Sequence, residues 1–224
     1  MNPDAVIMGT FRIYEGSMVD ERDGQVYKTV TIVNRYRDSV TWMAQNLNYE
    51  PKIGKSFCYE CEKYGRFYTW AAAVDSAAEF SDEAKGFGYQ EFMLSGYTKL
   101  KGNVRGVCPD GWRLINYDDF NWLNFFASMG EVNYGNRMMK SATDWNGTNE
   151  FGLNILPAGY LHEGVEWREG GKSAYFWTSN DHGNAYGAFA AFFAPEDYFS
   201  EYRDVMLSEV LPKYCGLSVR CVKK

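Results

Sequence analysis

The stretch Cys108-Pro109-Asp110-Gly111-Trp112 constrains this chain more than any other part of it. Trp112 then opens an apolar run that leads into an amphipathic helix, and the closing Leu217-Ser218-Val219-Arg220-Cys221-Val222 carries a second cysteine in a strand-like setting. A bridge between Cys108 and Cys221 would close a loop of roughly a hundred residues and contribute ~4–5 kcal/mol on the chain-entropy model. Residues of this kind build a core rather than move protons, so the sequence speaks more directly to architecture than to activity.

Three further cysteines refine the picture. Cys58-Tyr59-Glu60-Cys61 is open to reading as a redox pair, half a zinc site or a local staple. The second CxxC of a four-ligand zinc site is missing and no strand-then-helix context surrounds this one, which favours the staple. Cys215 is left over and is expected to be buried. Five thiols also suit a cytosolic protein, so their placement, not their number, points to an oxidising compartment. The start Met1-Asn2-Pro3-Asp4 lacks the features of a secretory leader, which leaves a cytoplasmic protein or one whose leader has been removed.

The net charge of -6, with two histidines and no block of Lys or Arg, offers no electrostatic footprint for nucleic acid or an anionic membrane. The longest uncharged apolar run, 187–194, falls far short of the ~20 residues of a membrane helix. With 46% hydrophobic residues over 224 positions and no dividing linker, the chain can bury a real core as one domain.

Along the chain, residues 1–20 show weak alternation at Thr10–Tyr14 and read as a lead-in strand or loose arm. Val26–Val33 and Val40–Ala44 are β-branched and aromatic and predict a hairpin. Thr69 can cap a helix over 70–80, with Trp70, Ala73, Val74 and Ala77 on one face. Residues 81–106 read as a long ordered loop. Asn116 caps a second helix with Asp118 and Asp119 in its first turn and Phe120, Leu123 and Ala127 on its apolar face. Phe151–Tyr160, Tyr175–Ser179, Ala185–Phe193 and Leu217–Val222 read as strands. The expected class is α+β, two helices packed on a mostly antiparallel sheet with long loops, organised as an N-terminal extension over 1–19 and a single domain over 20–224.

These segments resemble the Fibrobacter succinogenes major paralogous domain, a bacterial family of largely unassigned function. The resemblance runs from about Asp20 to Lys223. It rests on Asp23–Val30, Trp42-Met43-Ala44-Gln45-Asn46-Leu47-Asn48-Tyr49, Tyr64–Trp70, Val107–Trp112, Leu156–Tyr160, Phe176-Trp177-Thr178-Ser179 and Ser218–Cys221. The layout is also similar to the C-type lectin fold. The resemblance implies that Cys108 pairs with Cys221 and Cys58 with Cys61, and that Trp42, Trp70, Trp112 and Trp177 are core residues.

Aromatic residues make up 17% of the chain beside 22 glycines, a composition suited to stacking on sugars or gripping a protein partner. Trp167, Tyr198, Phe199 and Tyr202 occupy polar, loop-like settings and are the candidate ligand contacts. Asn180 and Asp181 join them, with Pro195-Glu196-Asp197 nearby, as oxygen-rich turns. The tripeptides with which C-type lectins hold calcium do not occur, so no cofactor is expected and calcium remains only a minor alternative. His162 and His182 are the only histidines, and no hydrolase, metalloprotease or phosphate-loop motif is present. The expectation is a non-catalytic domain at the bacterial surface or released from it, binding polysaccharide. The alternatives are a protein-binding or structural surface domain and, further off, a formylglycine-generating-like or thiol redox enzyme.

Overall fold

The computed structural model describes residues 6–8, 11–34, 36–86, 100, 103–127, 135–181, 186–194 and 207–223. Its strands are β1 (Val6–Met8), β2 (Phe11–Val19), β3 (Val26–Val33), β4 (Ser39–Met43), β5 (Ser56–Phe57), β6 (Phe67–Tyr68), β7 (Trp112–Leu114), β8 (Tyr160–His162), β9 (Glu166–Arg168), β10 (Ala174–Asp181), β11 (Gly187–Phe193), β12 (Leu207–Pro212), β13 (Leu217–Ser218) and β14 (Cys221–Lys223). The helices are α1 (Cys61–Tyr64), α2 (Trp70–Ala73), α3 (Tyr117–Ala127) and α4 (Gly135–Met139). The class is α+β, dominated by antiparallel pairing.

Two six-stranded sheets, ordered β1-β2-β3-β4-β14-β7 and β12-β11-β10-β13-β6-β5, stand beside a β8-β9 hairpin. The β3–β4 hairpin forms as its alternation predicts, with Val30 opposite Trp42 and Ile32 opposite Val40. Residues 11–19, the lead-in of the sequence reading, pair with β3 along their whole length as β2, and Phe11 and Ile13 bury their side chains in the core. Among the described strands only β10 and β13 pair in parallel. Trp42, Trp70 and Trp177 are fully buried and Trp112 nearly so, as the family resemblance implied.

Three expectations need correction. The helix over 70–80 is only the single turn Trp70–Ala73, and Ala77 is exposed. Thr69 caps it as anticipated, accepting a hydrogen bond from the Ala72 amide. The turn ends because the Asp75 carboxylate, on a residue with positive φ, accepts from the amides of Glu79, Phe80 and Ser81 and draws those donors away from a helical ladder. Phe151–Tyr160 contributes only its last residue to a strand. Asn149 and Asn154 adopt the left-handed conformation, which breaks extended pairing. Leu217–Val222 is two strands, not one: β13 lies between β10 and β6, and β14 lies between β4 and β7 in the other sheet. The chain therefore steps from one sheet to the other across Val219 and Arg220.

The second predicted helix forms as α3. Asp119 donates its amide to Asn116 Oδ1 at 3.0 Å, and the Asn116 amide returns a bond to Asp119 Oδ2 at 2.7 Å, so each end satisfies the other's orphan donor. Arg113 on β7 grips the Asp119 carboxylate with two bonds of 2.6 Å, fixing the helix start to the strand before it. Phe120 and Leu123 enter the core, where Phe120 meets Trp42 with ring centroids 5.0 Å apart.

Both cysteine pairs are bridged: Cys108–Cys221 with Cα atoms 5.9 Å apart, and Cys58–Cys61 with Cα atoms 5.1 Å apart. Cys108 and Cys221 are wholly buried, whereas Cys58 is exposed. Cys215 is unpaired and buried, and burial pushes its thiol pKa up to about 11. None of the described helices is long and apolar enough to cross a membrane.

Replacing Cys108 and Cys221 by serine should destabilise the domain by about 5 kcal/mol, and opening Cys58–Cys61 by about 2 kcal/mol, as the chain-entropy model gives for their loops. Urea unfolding of the two double variants checks the order. Cys215 should resist iodoacetamide at pH 8 in the native protein, because a thiol with so raised a pKa is almost wholly protonated there, and should label on unfolding; mass spectrometry reads both states.

Candidate functional site

Tyr198, Phe199 and Tyr202, with Pro195-Glu196-Asp197 and His182, lie outside the described residues. Asn180 and Asp181 end β10, and their oxygens serve the fold. Asn180 Oδ1 accepts the Tyr117 amide at 2.8 Å, at the start of α3, and Asp181 pairs with Lys213 at 3.1 Å where both side chains are largely buried. A cation there would have to displace that lysine. Among the described residues no cluster of three or more His, Cys, Asp or Glu side chains could hold a metal ion. His162 contacts Tyr214 and lies 4.0 Å from Glu166, at the protein surface.

Trp167 sits in β9, not in a loop. Its indole nitrogen donates to the Ala158 carbonyl at 2.7 Å. A Cβ on Gly170 would meet three consecutive ring atoms at nearly equal distance, so one face of the indole lies on the Gly170 backbone. Tyr59 stacks on Trp167 with centroids 4.5 Å apart, and Tyr64 approaches at 6.1 Å. Tyr59 is the ring that this stack presents to solvent. It is held there within the loop closed by Cys58 and Cys61, which the left-handed Glu60 turns into α1.

Beside α1 opens a cleft of about 240 Å³. Gln25, Gln45, Asn46, Asn48 and Asn154 supply side-chain amides, Glu62 and Lys63 stand exposed at its α1 side, and Arg220 lines it from within the core. The cleft exists because Asn46 and Arg220 tie its walls together. Asn46 donates to the Tyr64 carbonyl at 2.8 Å and to Ser218 Oγ at 3.2 Å, while its Oδ1 accepts from Arg220 Nε at 2.8 Å. Arg220 also donates to the carbonyls of Met43, Leu153 and Asn154. Gly65 takes positive φ where a side chain would strike Asn46 and the Leu47 carbonyl, so only glycine lets α1 approach this closely.

The wall residues are mostly committed. The Lys28 amide donates to Gln45 Oε1 at 2.8 Å, Gln25 bonds Asp23 and the Asn48 carbonyl, and Lys63 pairs with Asp144 at 3.3 Å. The Asn48 amide donates to the Tyr27 hydroxyl at 3.0 Å, and burial, the dominant cause, raises the pKa of that phenol. Asn48, which lines the cleft, is the exception: its buried Oδ1 has no partner among the described residues. Among the described lining residues Glu62 is the sole carboxylate and there is no histidine, and most of the polar lining is hydrogen-bonding amide.

Sequence reading missed this cleft because its lining is scattered over 25–27, 44–48, 61–65, 154–156 and Arg220, and several of these residues sit in segments such as Trp42–Tyr49 and Ser218–Cys221 where apolar neighbours signal a core. The available signal was Arg220, a lone charge between Val219 and Cys221 in an otherwise apolar closing strand.

Trp167→Ala removes a packed indole and its hydrogen bond, and should cost about 3 kcal/mol of stability. Urea denaturation measures it, and unchanged stability would mean that the ring is not held as described.

The family model for the Fibrobacter succinogenes major domain matches residues 38–223, which takes in the whole of the second sheet, strands β4, β7 and β14 of the first, both disulfides and all of the cleft except Gln25, Val26 and Tyr27. No curated protein and no solved structure matches the chain. The family is thus shown across most of the molecule: this chain belongs to the Fibrobacter succinogenes major domain family.

Proposed function

We propose that this protein is a non-catalytic recognition domain of C-type-lectin-like fold, exported to the bacterial surface or beyond, and that it binds glycan in the cleft beside α1. The observation that carries this reading is the buried Oδ1 of Asn48, unpartnered among the described residues, on a residue that lines a cleft together with the side-chain amides of Gln25, Gln45, Asn46 and Asn154. A buried acceptor without a donor is costly, and a ligand hydroxyl would satisfy it. Amides that both donate and accept suit a polyol, whose hydroxyls do the same. The cleft volume of about 240 Å³ lies just under the ~300–1,000 Å³ of sites for drug-sized ligands and suits a single small ring. Tyr59, braced by Trp167 and the Cys58–Cys61 staple, gives a fixed aromatic face two residues from the Cys61 wall, of the kind that packs on a sugar's apolar side. Two disulfides are compatible with an oxidising, extracellular setting.

Calorimetric titration against a panel of neutral and charged oligosaccharides tests the reading. The Oδ1 of Asn48 accepts no hydrogen bond from the described residues, so Asn48→Ala should leave stability within about 0.5 kcal/mol of the parent while weakening glycan binding about tenfold. Tyr59→Ala should weaken binding by a similar factor. Absence of binding across the panel, or binding untouched by both variants, would overturn the proposal and move the weight to a protein partner.

A further inference from the structure

Arg220 is 2% exposed, and its guanidinium forms no ion pair with any carboxylate among the described residues. Its bonds go to the neutral oxygens of Asn46, Met43, Leu153 and Asn154, and the last is long, at 3.3 Å. Asn46 and Asn154 also line the cleft, so the cation and two of its acceptors are part of the same wall. A guanidinium taken out of water is ordinarily matched by an anion, because carbonyl dipoles offset only part of its lost hydration. Burial alone pulls the Arg220 pKa down to about 9, which marks the charge as uncompensated yet leaves it protonated at neutral pH. Part-buried arginines among the described residues are matched by carboxylates: Arg22 by Asp20, Arg66 by Glu50, Arg105 by Asp110 and Arg113 by Asp119.

We infer that the cleft is selective for an acidic sugar, a hexuronic acid residue whose carboxylate supplies the counter-charge that Arg220 lacks while its ring hydroxyls meet the amides and Asn48 Oδ1. This inference rests on the glycan reading and narrows it. Lys63 adds a second positive charge at the α1 side, although Asp144 already holds it. Glu62 opposes the anion but is exposed, where water and salt screen it, whereas Arg220 acts from a poorly screened interior.

Titrating the native protein with an oligogalacturonate and with its fully methyl-esterified counterpart separates charge from shape, since the two differ only at the carboxylates. The acid should bind at least tenfold tighter. Lys63→Gln should retain most of that preference, because it leaves Arg220 intact. Equal binding of acid and ester would overturn the inference while leaving the glycan reading standing, and loss of the preference in Lys63→Gln would reassign the charge and overturn the role of Arg220. Binding of neutral glycans alone would also overturn it, and binding of no glycan would overturn both readings.

Discussion

The guanidinium of Arg220 is the interaction on which the rest of the structure depends. It lies where the chain passes from β13 in one sheet to β14 in the other, and it reaches the carbonyls of Met43 at the end of β4 and of Leu153 and Asn154 in the loop before β8. Through Asn46 it also holds the Tyr64 carbonyl at the end of α1 and the Ser218 hydroxyl. A flat cation with five donors can gather several carbonyls from separate segments at once, which neither lysine nor an apolar side chain can do. One residue from the Arg220 crossing, Cys221 is bridged to Cys108 and fixes the last strand covalently.

That arrangement explains why the cleft exists. Apolar side chains on both sheets close their own clusters, and the gap between α1, the β3–β4 hairpin and the 154–156 segment is bounded by polar groups that face one another across it. The aromatic surplus is used mainly in packing: Phe11 on Phe151, Trp42 on Phe120, Tyr175 on Phe192, and Trp167 between Gly170 and Tyr59. Tyr59, within the Cys58–Cys61 loop, covers Trp167 and keeps its outer side exposed.

Much of the fold was legible residue by residue. The β3–β4 hairpin follows from β-branched alternation, and α3 follows from Asn116 and the acidic first turn, to which the structure adds the reciprocal cap between Asn116 and Asp119. The short helix did not follow, since the apolar spacing of Trp70 to Ala77 is also satisfied by one helical turn and a buried bend at Asp75. Trp167 looked loop-like because its neighbours are charged or glycine, yet those glycines are what let the indole pack flat. Asn180 and Asp181 have the composition of ligand oxygens, but composition does not reveal that Tyr117 and Lys213, far away in sequence, already occupy them.

The sequence by itself determined the β3–β4 hairpin, the helix α3, the α+β class and, through its ordered motifs, the family. These depend on nearest-neighbour sterics, periodicity and capping, which act over a few residues. Tertiary structure alone decided that Leu217–Val222 splits between two sheets, that Arg220 is buried with no carboxylate partner among the described residues, and that Asn48, lining a cleft, keeps a buried oxygen unpartnered there. Each of those outcomes turns on desolvation, and how much water a group loses is set by segments distant in the chain that converge only once it has folded.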